Sequence, residues 1–140
     1  MTHKDRRPLL VEKNFQVKTY DIDFAGHVSN IVYIRWLEDL RFALLDAYFP
    51  LKPQLDAGYA PILIRTNIQY RRAIRLFEPV QGRMWVQSVG GAKALLAARI
   101  VVNEDVCADV VQEGVFADLT TGRPMRIPDA FRKVYDTWQD

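Results

Sequence analysis

The 140-residue sequence holds one cysteine, Cys107, and two histidines, His3 and His27. An intramolecular disulfide is therefore excluded, and no group of Cys and His has the spacing of a structural zinc site. A reducing, cytoplasmic setting is the expectation, with no metal. A long apolar run is also lacking. After the basic start MTHKDRRP only Leu9, Leu10 and Val11 stand together, far short of a signal-peptide core or a membrane span. Asp5 and Glu12 set this start apart from a transit peptide, and residues 1–8 read as a loose arm. Charge of one sign is scarce: 19 Lys and Arg against 17 Asp and Glu leave a formal net charge of +2, too little for the concentrated basic surface of a duplex binder. Neither nucleic acid nor membrane is expected as a partner. Repeats, low-complexity tracts and Ser/Gly linkers are absent, so residues 1–140 read as one domain. Missing too are the GxSxG elbow, the P-loop, GxGxxG and HExxH. With His3 in the arm, a Ser-His-Asp or Cys-His site has only His27 to build on, and Cys107, in mid-strand, reads as core.

Hydrophobic residues make up 49% and charged residues 26%, enough apolar content to fill a core and outside the regime of disordered chains. Residues 11–20 partly alternate, with Val11, Phe15, Val17 and Thr19 on one parity, as in a half-buried strand. DIDFAGHVSN follows, with Gly26 as a permissive point and Asp, Ser and Asn side chains suited to the start of a helix. From about Val28 to Tyr48 the polar residues Arg35, Glu38, Asp39, Arg41 and Asp46 share one side. The broad apolar remainder, including Ile31, Ile34, Trp36, Leu37, Leu40 and Leu45, predicts a helix mostly buried against a large surface. Pro50 and Pro53 stop it, and LKPQLDAGYAP reads as a connection with one short turn.

After Pro61 the period switches to two, with Ile62, Ile64, Thr66, Ile68 and Tyr70 on one face. Further strands are predicted over 80–89, 94–103 and 106–119, joined at Gly90-Gly91 and Asn103-Glu104-Asp105. The order of strand, long helix, then four strands largely in a meander predicts an α+β layer arrangement, one curved sheet around one helix.

Asp21, Asp23, Gly26, His27, Ser29 and Asn30 form the densest polar constellation, where a strand enters a buried helix. Free amides at a helix start carry partial positive charge and polarise a carbonyl oxygen, while a nearby carboxylate attacks the carbon or activates water. That pairing suits acyl transfer. The same residues also suit plain capping and turn formation.

The segment YDIDFAGHVSNIVYIRWLEDLR, Tyr20 to Arg41, resembles the signature D-x-D-x-x-G-H-V-N-N-x-x-Y of hotdog-fold acyl-CoA thioesterases of the 4-hydroxybenzoyl-CoA thioesterase type. The resemblance covers both aspartates, the glycine, the His-Val pair, the second Asn and the tyrosine. It extends over roughly residues 11–130, including GRPMRIP at 122–128. It implies a five-stranded antiparallel sheet wrapped around one long central helix, and hydrolysis of an acyl-CoA to free acid and CoA without cofactor. By position, Asp23 is implied as nucleophile or general base, and the turn through Gly26 and His27 into Asn30 as the segment whose amides hold the thioester carbonyl. Ser29 replaces the first Asn of the pair, and Ala94 stands where many relatives carry Ser or Thr near the site. Phe24 and Tyr33 are acyl-pocket candidates, with core packing as the plainer reading for neighbours such as Trp36. Arg71, Arg72 and Lys93, with Arg75, Arg123 and Arg126 also available, are candidates for the CoA phosphates, each equally readable as a solvated charge. A homodimer with sites at the interface, or a homotetramer beyond it, is implied. The alternatives are a non-catalytic acyl-CoA-binding hotdog domain and a thioesterase acting on acyl carrier protein.

Overall fold

The period-two segments do become strands. In the computed structural model, which describes residues 6–138, they are β1 (Val11–Phe15), β2 (Tyr59–Tyr70), β3 (Val80–Val89), β4 (Lys93–Val102) and β5 (Asp105–Asp118). A two-residue β6 (Pro124–Met125) adds to β5, and every pairing is antiparallel. The helices are α1 (Asn30–Tyr48), α2 (Leu51–Asp56) and α3 (Asp129–Thr137). This is the expected hotdog architecture, with β6 as a small addition to the five strands anticipated. Among the described residues no helix is long and apolar enough to cross a membrane. Of the arm anticipated over residues 1–8, residues 1–5, including His3, lie outside the described residues. Arg7 stacks over the Trp85 ring at 4.1 Å, and the Pro8 carbonyl accepts the Val86 N–H at 2.9 Å, so the arm's last residues are tied to β3.

The sheet order is β1-β3-β4-β5-β2. β3, β4 and β5 form the anticipated meander. Asn103 and Glu104 both take left-handed φ, +48° and +69°, the two-residue turn whose twist matches the flanking strands. β2 departs from the meander by pairing with the outer side of β5, so residues 71–79 cross the end of the sheet to reach β3. That crossing carries Ile74, fully buried, into the core, and the Ile74 carbonyl accepts the Val28 N–H at 2.8 Å. It also holds Phe77 at φ +73°, a conformation that costs a residue with a side chain about 1–2 kcal/mol.

α1 lays Val32, Tyr33, Trp36, Leu37, Leu40 and Leu44 onto the sheet, a stripe at spacings of three and four. The buried face is narrower than the broad apolar one expected: Ile31, Ile34 and Phe42 are about half exposed and Leu45 is half-buried, because one sheet covers only one side. α1 also starts at Asn30 rather than Val28, since Val28 is held extended in a bridge with Ile22. β1 ends early, at Phe15, and the chain tightens into a 3-10 turn at Thr19–Asp21. LKPQLD forms α2, and α3, not anticipated, is a short amphipathic helix with Phe131, Val134 and Tyr135 at helical spacing on its apolar side.

α1 lies closest to the sheet over β3. A Cβ on Gly82 would fall 2.7 Å from the Phe15 ring and 2.8 Å from Leu40 Cδ1, in a core where Leu40 has no exposure. Gly82→Val is therefore expected to lose about 1–3 kcal/mol, more than Gly82→Ala, in urea unfolding; equal stability of the three proteins would contradict this packing.

Candidate active site

The site begins with a division of labour between two aspartates. Asp21 is buried, its Oδ2 accepts the Lys18 N–H at 2.8 Å, and its carbonyl accepts the Ser29 N–H at 2.8 Å. It therefore closes the loop that leads into α1. Asp23 starts a tight turn: its N–H donates to the His27 carbonyl at 2.8 Å, and the Gly26 N–H donates back to the Asp23 carbonyl at 3.0 Å. Gly26 sits at φ +79°, which a side chain would resist. The Asp23 Oδ1 accepts the N–H groups of Ala25 (2.9 Å) and His27 (3.3 Å). Among the described residues its Oδ2 has no hydrogen-bond partner.

Ser29 holds the N-cap position, yet its side chain makes no capping hydrogen bond. Its carbonyl accepts the Val32 N–H at 3.0 Å, while the N–H groups of Asn30 and Ile31, at the head of the helix, have no acceptor within it. Of the segment anticipated to hold the carbonyl, the Gly26 and His27 amides are taken up by Asp23, while Asn30, its chief implied donor, keeps an open N–H. The open donors lie one turn further on, where the helix dipole adds to them.

Asp23, His27 and Asn30 line a cleft of about 270 Å³ whose other walls are Val28, Tyr33, Tyr70 and residues 71–73. Tyr33 is buried and meets Tyr70 edge to face at 5.0 Å. Burial, with lesser contributions from the neighbouring Cys107 and Tyr70, pushes the Tyr33 hydroxyl up to about 12, so it remains a donor. Arg72 donates from Nη2 to Glu78 Oε2 at 2.5 Å and from Nη1 toward Cys107 Sγ at 3.5 Å. The hydrogen bond from Arg72 holds the Glu78 carboxyl below its usual range. Burial raises the Cys107 thiol, the opposite of what a thiolate nucleophile needs. Among the described residues no group of three His, Cys, Asp or Glu side chains is placed to hold a metal.

The structure thus brings Asp23, His27, Asn30, Tyr33, Arg71 and Arg72 together. Phe24 stands apart, fully exposed at the tip of the turn, and Gly26 shapes the turn without lining the cleft. Within one chain, Lys93 is not brought in. It lies seven residues along β4 from Ile100, which pairs with Ala108 beside Tyr70, a separation of roughly 23 Å. Its Nζ pairs with Glu113 at 3.0 Å, and Arg71 pairs with Asp109, which also takes Arg99 at 3.2 Å. Ala94 shares the Lys93 end, where it borders a small apolar crevice with Leu44, Ile62, Phe116 and Phe131. Tyr70 and Glu78 join the site without being marked for it in the sequence. Tyr70 lies on the helix-facing parity of its strand, a usable signal, but nothing local singles out Glu78.

The family profile of the Thioesterase-like superfamily matches residues 17–134. The long-chain acyl-CoA thioesterase FadM of Escherichia coli K12 is 24% identical over 125 residues, covering 88% of this chain and 95% of FadM. Among solved structures, a DHNA-CoA thioesterase from Staphylococcus aureus superposes with a TM-score of 0.84 at 16% identity, covering 93% of this chain and 91% of that one. A Thermus thermophilus thioesterase solved with coenzyme A and Zn reaches 0.78 at 22%, over 91% and 92%. These likenesses agree with the sheet and helix described above, and the profile spans both the Asp23 turn and the strands behind it. The chain belongs to the thioesterase-like superfamily.

Proposed function

We propose that the protein hydrolyses an acyl-CoA thioester to free acid and CoA, with Asp23 as the reacting carboxylate. The observation that carries this reading is the single unpartnered Asp23 oxygen at the mouth of a helix whose first amides are open. A thioester carbonyl set against the N–H groups of Asn30 and Ile31 is polarised there, with its carbon turned toward Asp23. The carboxylate then either attacks that carbon, releasing the thiolate and leaving an anhydride for water to open, or takes a proton from water as the water attacks. Both routes end in the same acid and thiol. His27 and the Tyr33 hydroxyl are polar contacts for the substrate in the cleft.

The site is completed by a second copy. β2 has one free edge, with Ile62 and Ile64 more than two-fifths exposed on it and a bulge between Leu63 and Arg65. Antiparallel pairing of two such edges sets the Ala94 end of one sheet beside the Asp23 end of the other. The apolar crevice of one copy then receives the acyl group held by its partner, and Phe24 gains a surface to cover. We place this homodimer, or a tetramer built from it, in the cytoplasm, consistent with a lone buried thiol.

Asp23→Asn is expected to lower kcat at least about a hundredfold. Its melting temperature should hold, because the Asn carbonyl oxygen still accepts the Ala25 and His27 amides. Turnover of aryl, short, medium and long acyl-CoAs, followed by thiol release, is the measurement; a variant as active as wild type removes Asp23 from the mechanism. Wild-type binding without turnover would favour a non-catalytic binding domain, and turnover confined to acyl carrier protein the other alternative. Asp21→Ala should do the reverse, costing about 1–3 kcal/mol of stability through the amide it orphans.

Tyr33 supplies a pH test. Its folded value, about 12, lies above the ordinary 10.0, so burial of the neutral hydroxyl stabilises fully below pH 10. That stabilisation is lost as pH rises from 10 toward 12, where the unfolded chain ionises first. A wild-type melting temperature that falls over this window, with a shallower fall in Tyr33→Phe, is the expected result.

A further inference from the structure

The pairing of Arg71, Arg72 and Lys93 with carboxylates changes which cation is placed to meet a CoA phosphate. Arg75, in the segment that crosses the sheet end, has no ion pair or side-chain hydrogen bond among the described residues. Its N–H donates to Glu78 Oε1 at 2.8 Å, and its carbonyl accepts the Glu78 N–H at 3.3 Å. Residues 75–78 therefore form a four-residue turn. Its third residue, Phe77, takes φ +73°, a position such turns ordinarily give to Gly or Asn. The Phe77 side chain is 91% exposed, so no packing among the described residues accounts for an aromatic there. Strain of this kind persists at positions where the side chain serves a contact outside the fold.

The turn is fastened to the catalytic cleft at two points. Glu78 Oε2 holds Arg72, a wall of the cleft, at 2.5 Å, and the Ile74 carbonyl holds the Val28 amide behind the Asp23 turn at 2.8 Å. The three residues from Ile74 to Phe77 extend at most about 11 Å, and Phe77 is not among the cleft-lining residues, so the ring stands beside the cleft within a pantetheine arm's reach.

We propose that Arg75 and Phe77 form the seat for the adenosine 3′-phosphate end of coenzyme A, the adenine stacking on the Phe77 ring and the phosphate meeting the Arg75 guanidinium. The inference rests on the acyl-CoA reading and deepens it, because it commits the substrate to the nucleotide-bearing thioester rather than to a carrier protein. An exposed aromatic face suits any base, and a guanidinium held in no ion pair among the described residues, with Glu78 acting on it only through space, keeps its fork for phosphate oxygens.

The test compares one acyl group carried on CoA and on pantetheine. Phe77→Gly and Arg75→Ala should each raise KM for the acyl-CoA about tenfold, leave kcat unchanged and leave both constants for acyl-pantetheine at wild-type values. Adenosine 3′,5′-bisphosphate should compete with acyl-CoA in wild type and lose that competition in both variants. Phe77→Gly should keep or raise the melting temperature, since glycine takes φ +73° without strain, so a weaker KM cannot be charged to unfolding. Equal losses on both substrates, an unchanged KM for acyl-CoA, or a change of oligomeric state in Phe77→Gly, which would assign the ring to a second copy, each overturn the seat. If wild type turns over neither ester, the thioesterase reading fails on its own. Calorimetric binding of CoA and of adenosine 3′,5′-bisphosphate to wild type and Phe77→Gly then decides the seat separately, with indistinguishable affinities overturning it.

Discussion

Everything in this chain is organised by the burial of one face of α1 against β3, at the point where Gly82 leaves room for Leu40 and the Phe15 ring. A helix can approach a sheet this closely only where the strand offers no side chain, and the approach sets the height of the whole helix above the sheet. That height in turn fixes where the first turn of α1 emerges. Because the stripe from Val32 to Leu44 is anchored along its length, the head of the helix is a rigid feature, and the open amides of Asn30 and Ile31 are held in place without a capping side chain. Positioning donors beforehand is what lets them act on a carbonyl without reorganisation at the moment of reaction.

The Asp23 turn is fastened to that rigid head from two sides. Asp21 closes it from below through Lys18 and Ser29, and the Val28 amide ties it to Ile74 on the crossing segment. The two aspartates of the motif thus do unlike jobs despite being two residues apart, since one is buried and bonded to backbone at both its carboxyl and its carbonyl. Asp23 is only half-buried, and spends one oxygen on its own turn while keeping the other toward the cleft. Loop closure and an open carboxylate oxygen thus fall to different residues of this constellation.

Charge follows a similar economy. Glu113 is shared by Arg65 and Lys93, Asp109 by Arg71 and Arg99, and Glu78 is held by Arg72. Several of the cations that look available along the chain are engaged by carboxylates, and exposed pairs of this sort contribute little to stability while lowering the number of guanidinium groups open to a ligand. The segment that crosses the sheet end collects the consequences: it supplies the Arg72 and Ala73 walls of the cleft, buries Ile74 and leaves Arg75 and Phe77 facing outward.

Local pattern determined the elements that depend on neighbours in sequence: the alternation that makes β2 to β5, the stripe that makes α1, the left-handed glycine of the Asp23 turn, and the motif that placed Asp23, His27 and Asn30 together. Period and turn chemistry are short-range properties, so they survive in a linear reading. Only the tertiary structure decided that β2 leaves the meander to flank β5, that Lys93 stands at the far end of the sheet while Tyr70 and Glu78 join the site, and that Ser29 caps nothing. It also decided that Ile31 and Ile34 stay exposed. Those outcomes rest on register and on which strand lies beside which, contacts between residues tens of positions apart, and no spacing along the chain encodes them separately from the fold.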